Sequence, residues 1–133
     1  MPATASARSI HAPVRYWRRF RPPNSGDDSG LAWAEGSLWV GQYKARKILQ
    51  IDPADGRVLR TIESNRFVTG VTWVDGELWH GTWENDESDL RRIDPQTAQV
   101  LESVTMPPGT GVSGLESDGA DRFFSVAAVA VAR

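Results

Sequence analysis

Two side chains could start chemistry in this chain. His80 lies in the run Leu78-Trp79-His80-Gly81, and an unperturbed imidazole titrates at about pH 6.5, suited to a general base or a metal ligand. Glu116, in Val112-Ser113-Gly114-Leu115-Glu116, could take up a proton or bind an amine. Between them, residues 83–89 gather Glu84, Asp86, Glu87 and Asp89 in an oxygen-rich loop of the kind that can hold Ca²⁺, although its spacing fits no EF-hand. Trp39, Tyr43, Trp79 and Trp83 could form an aromatic wall against a substrate. Each feature also has a plainer structural account: a hydrogen-bonded histidine packed between sheets, an exposed carboxylate, a solvated acidic loop and an aromatic core.

The elements that position these residues come from an internal repeat. Gly30-Leu31-Ala32-Trp33-Ala34-Glu35-Gly36-Ser37-Leu38-Trp39-Val40-Gly41 returns as Gly70-Val71-Thr72-Trp73-Val74-Asp75-Gly76-Glu77-Leu78-Trp79-His80-Gly81. Both copies continue to Ile-Asp-Pro (Ile51-Asp52-Pro53, Ile93-Asp94-Pro95) and to Val-Leu (Val58-Leu59, Val100-Leu101). The offset grows between the two halves of the repeat, which places a short insertion near Asp86 and Glu87. Short strands recurring at a period of about 40–45 residues are the signature of a propeller blade.

Each copy accommodates four strands, predicted at 29–34, 37–43, 47–52 and 57–62, then 69–74, 77–84, 89–94 and 99–104. Asp52-Pro53-Ala54-Asp55-Gly56 provides Pro for a fixed φ and Gly for a left-handed closing residue, whereas Ala98 replaces that Gly in the second copy. Leu38-Trp39-Val40 and Leu78-Trp79-His80 lack the polar–apolar alternation of a strand with one wet face, so both faces are expected to be covered by neighbouring sheets. A third copy opens at residues 112–119 and reaches Arg122-Phe123-Phe124. The expected fold is therefore all-β: a partial β-propeller of four-stranded antiparallel blades at 28–66 and 67–108, a stub at 109–124 and an irregular Val/Ala tail at 125–133.

Five of the 15 basic residues (Arg8, Arg15, Arg18, Arg19, Arg21) precede all 17 acidic ones. A basic arm on an acidic body can grip nucleic acid or a membrane surface. The simpler reading of 1–27 is a disordered extension, with no nucleic-acid or membrane partner. No apolar run approaches the roughly 20 residues that span a bilayer as a helix. The chain has no cysteine, which removes thiol chemistry and fits a cytoplasmic location. Walker, dinucleotide, Gly-x-Ser-x-Gly and paired-histidine zinc motifs are absent from the sequence.

The pattern Gly-x-x-Trp-x-x-Gly-x-Leu-Trp followed by Ile-Asp-Pro and Val-Leu resembles the blades of bacterial propellers. These include propeller-type glutaminyl cyclotransferases, virginiamycin B lyases and the gluconolactonase/regucalcin group. Residues 78–95 and 112–116 are most similar to the cyclotransferase-like proteins. That resemblance implies cyclisation of an amino-terminal glutamine, with Glu116 and His80 catalytic and Trp39, Tyr43, Trp79 and Trp83 holding a small peptide or small molecule, without cofactor or metal. It also implies a glycine-rich turn and a basic strand after Phe124. The Val/Ala run departs from this, as a truncated or shifted reading frame would. Two alternatives stay open: a non-catalytic interaction module presenting blade loops, and a divalent-metal lactonase using the acidic loop. Two and a half blades should leave apolar sheet faces uncovered, so self-association is expected.

Overall fold

The computed structural model describes residues 22–23, 27–119 and 122–129. The proposed arm at 1–27 and the end of the tail lie mostly outside them. The strands in chain order are β1 (Asp28–Ala34), β2 (Ser37–Gln42), β3 (Lys47–Ile51), β4 (Val58–Glu63), β5 (Val68–Val74), β6 (Glu77–Thr82), β7 (Asp89–Ile93), β8 (Val100–Thr105), β9 (Thr110–Ser117) and β10 (Phe123–Val129). They form sheets β1-β2-β3-β4 and β5-β6-β7-β8, plus the pair β9-β10, each antiparallel and in sequence order. The all-β partial propeller is thus observed, and no helix occurs among the described residues.

Turn chemistry fixes the meanders. Glu35-Gly36 and Asp75-Gly76 have positive φ at both central positions, the type I′ geometry that matches strand twist. At the β3–β4 and β7–β8 hairpins, Asp52 and Asp94 each cap the turn, their side chains accepting from the Ala54 and Gln96 N–H groups. The turns then close through Gly56 N–H to the Asp52 carbonyl and Ala98 N–H to the Asp94 carbonyl, both 2.8 Å. Gly56 has φ 77° and Ala98 φ 65°, so the alanine carries a left-handed backbone without glycine's freedom. The insertion in the second copy forms its own tight turn, with Asn85 and Asp86 at φ 56° and 60° and Glu84 paired to Glu87.

Blades stack where their first strands converge: β1 packs on β5, and β5 on β9. Glycine makes this approach possible. A Cβ on Gly30 would lie 2.7 Å from the Val71 nitrogen, and one on Gly70 would lie 2.6 Å from the Leu115 nitrogen. The first layer between sheets holds Trp39, Ile48 and Ile62 against Val68, Val71, Leu78 and Ile93. The second holds Val74, Trp79 and Leu90 against Val112, Leu115 and Phe123.

One expectation needs correction. Residues 125–133 read as an irregular tail, yet β10 continues through the Val/Ala run to Val129, in register with Thr110. Small and β-branched residues satisfy a ladder whose bonds are all main-chain, and β9 would otherwise leave a long edge unpaired.

Candidate functional site

β6 places His80 directly opposite Arg91 of β7, with both side chains at the layer between the first and second sheets. They line a cleft of about 230 Å³ together with Ile48, Ile62, Asn65 and Ile93. His80 is buried, and its Nδ1 lies 3.2 Å from the Gly81 carbonyl oxygen. A carbonyl only accepts, so Nδ1 carries the proton of the neutral ring and Nε2 is the basic nitrogen. Burial lowers the imidazole pKa to about 4, reinforced by the Arg91 charge and opposed by the Gly81 carbonyl and Asp89. The ring is therefore neutral at neutral pH.

Arg91 is held on both sides. Its Nε donates to the two carboxylate oxygens of Asp89 at 3.1 and 3.0 Å, and Nη1 donates to the Asn65 carbonyl oxygen at 2.7 Å. Burial alone would raise the Asp89 pKa. Hydrogen bonds from Thr82, Arg91 and Ser103 and the Arg91 charge outweigh it and hold the carboxyl below its ordinary value.

Glu116 stands elsewhere. It is exposed on β9 and accepts from the Thr72 hydroxyl at 2.6 Å and the Ser117 N–H at 2.9 Å. These two donors, the hydroxyl first, lower its pKa and keep it ionised. Thr72 faces the third blade, whereas His80 faces the first, so the second sheet stands between the two candidate catalytic residues.

The aromatic residues are similarly dispersed. Trp39 is buried against Trp73, with ring centroids 5.1 Å apart, and its Nε1 donates to the Ala34 carbonyl. Trp79 packs on Phe123 at 4.8 Å in the next layer. Tyr43 lies on Phe67 at 4.7 Å, and the Trp83 ring abuts Gly111. In the acidic loop, Glu84 pairs with Arg46 at 3.0 Å, while Arg66 donates to the Glu84 and Glu87 carbonyls. Among the described residues, no three His, Asp or Glu side chains group as a metal ion would require.

Sequence reading missed Arg91, Asp89 and Asn65 as partners of His80. A signal for two of them was present. Val40 pairs with Leu49 in the first copy, and His80 pairs with Arg91 at the equivalent places, so an apolar pair becomes a polar one. Asn65 lies in the connection to β5 and carries no such mark.

No family model matches the chain, and no curated protein matches it. Solved structures do. The chain is similar to a luciferin-regenerating enzyme (TM-score 0.51, 18% identity, covering 66% of this chain and 32% of that one). It is similar to the PQQ-bound aldose sugar dehydrogenase of Streptomyces coelicolor (TM-score 0.52, 14% identity, 74% of this chain and 35% of that one). It is also similar to Sqt1 of Saccharomyces cerevisiae (TM-score 0.52, 16% identity, 84% of this chain and 31% of that one). All three have propeller-type folds, and at these identities the likeness concerns the fold alone. The chain spans about a third of the length of each.

Proposed function

We propose that this chain serves as a binding segment of a β-propeller, offering its convergent strands and blade loops to a small-molecule or peptide ligand, and is not a self-contained catalyst. The observation that carries this reading is the separation of His80 from Glu116 by the second sheet, His80 facing the first blade and Glu116 lying on β9 against the other face, each engaged by its own neighbours. A general acid–base pair must reach one substrate from both residues, and this arrangement does not allow it. The test is a cyclisation assay on an amino-terminal glutaminyl peptide with the full 133-residue chain. The expected result is no turnover above background; turnover that Glu116→Gln abolishes would overturn the proposal.

Glu116 itself favours a second reading, glutaminyl cyclisation within a completed ring. It is an exposed, ionised carboxylate on the strand nearest the convergence of the blades, suited to holding the substrate's amino group. The α-nitrogen would attack the side-chain amide carbonyl, forming the ring C–N bond as ammonia departs with the transferred proton. In an assembled ring, Glu116→Gln should then lower kcat, whereas His80→Val should leave it unchanged.

A further inference from the structure

The two ends of the blade stack are complementary to one another. At the first blade, Leu31 is 65% and Trp33 63% exposed. Their counterparts one repeat later are covered: Val71 is 2% exposed, and Trp73 lies on Trp39. At the third blade the situation is reversed. Phe124 is 59% exposed, while the residues at its position in the earlier blades, Trp39 and Trp79, are buried. A Cβ on Gly30 or Gly70 would strike the backbone of the following blade, but one on Gly114, the third member of the series, meets nothing within 4 Å among the described residues.

Each end therefore lacks what the other presents. Gly114 leaves room for the close approach of a first strand, as Gly30 does for β5. Phe124 offers a ring where Trp39 receives Trp73, and β1 exposes a tryptophan at the position of Trp73. The geometry points to head-to-tail docking between two copies of this chain, with β1 of one copy laid on β9 of the other in the register that β5 already takes on β1. This is continuous with the interface repeated twice within the chain. Such a heterologous contact either closes or propagates as a filament. Two copies bring together six first strands, within the roughly 4–8 blades over which propellers close, and their two junctions leave no end free.

Sedimentation of the full 133-residue chain at micromolar concentration, together with thermal melting, tests the docking. The expected species is a dimer. Gly114→Val should weaken association roughly tenfold or more, because the side chain occupies the space the incoming backbone needs. It should leave the secondary structure of the separated chain unchanged, since a Cβ there meets nothing within 4 Å among the described residues of one copy. Trp33→Glu, at an exposed position on the opposite end, should have the same effect. Mixing the two variants should restore a dimer through the one junction in which both surfaces are intact. A monomeric wild-type chain, or association unaffected by Gly114→Val, would overturn the proposal. So would failure of the mixture to pair, which would point to face-to-face contact of like ends.

Discussion

The first and second blades share a backbone and differ in what one pair of positions holds. Val40 opposite Leu49 completes an apolar layer with Ile51, whereas His80 opposite Arg91 builds a polar cleft beside Ile93. The ladder bonds are main-chain and indifferent to the exchange, which is why the strands superimpose in register. The side chains are not indifferent. A half-buried guanidinium is stabilised by a counter-charge, and the second copy places Asp89 where the first has Lys47. A repeat can thus gain a polar site on an unchanged frame, provided that the compensating residue changes with it.

The comparison can be broken most severely at the glycines that let blades meet. Gly70→Ala should cost roughly 3 kcal/mol or more, since its Cβ would lie 2.6 Å from backbone that cannot swing aside. Gly36→Ala is not an equivalent control because φ is 68° there, but Gly114→Ala is, and at a dilution that keeps both chains monomeric its stability should match the wild type. Chemical denaturation of the two variants side by side would check this.

Acid should separate the copies next. His80 titrates at about 4 when folded and near its ordinary 6.5 when unfolded. Between those values the unfolded chain binds the extra proton, so stability is fully present above about pH 6.5 and declines as pH falls toward 4. The loss is on the order of 3 kcal/mol. His80→Val, which installs the first copy's residue, should flatten the melting profile across that window; an unchanged slope would assign the acid sensitivity to other groups.

Arg91→Leu, the other half of the same exchange, should cost about 2 kcal/mol, because Asp89 loses its charged donor and Asn65 its partner. It should also raise the His80 pKa by removing a nearby positive charge, which ¹H NMR titration of the imidazole would register. The smallest effect is expected at the hairpin closure. Ala98→Gly should stabilise the second blade by roughly 0.5 kcal/mol, the relief of left-handed strain exceeding the loss of one methyl contact with the core.

Much of the frame was legible in the sequence because its causes are local. Asp75-Gly76 demands a hairpin, Asp52-Pro53 and Asp94-Pro95 begin capped turns, and Leu78-Trp79-His80 marks a strand covered on both faces, whereas Leu38-Trp39-Val40 is covered by a second sheet on one face only. The predicted strands fall within a residue or two of the observed ones. The third unit was less legible, because the Val/Ala run after Phe124 has neither turn chemistry nor alternation and pairs only through its backbone. The candidate site was legible as a set of residues but not as a constellation. His80, Glu116 and the tryptophans stood out by type, yet sequence alone could not say which face of which sheet each would occupy.

The repeat by itself determined the architecture: period and turn types dictate four-stranded antiparallel sheets, while the close approach at Gly30 and Gly70 that stacks them by their first strands came from the structure. Tertiary structure decided the chemistry. Burial between two sheets turns His80 from an ordinary base into a neutral ring, Thr72 and the Ser117 amide keep Glu116 ionised on the far face, and Asp89 and Asn65 tie down Arg91. Those outcomes depend on dielectric and on partners brought from distant positions, which spacing along the chain does not encode. Only the stack also shows that Leu31 and Trp33 at one end, and Gly114 and Phe124 at the other, are left facing outward.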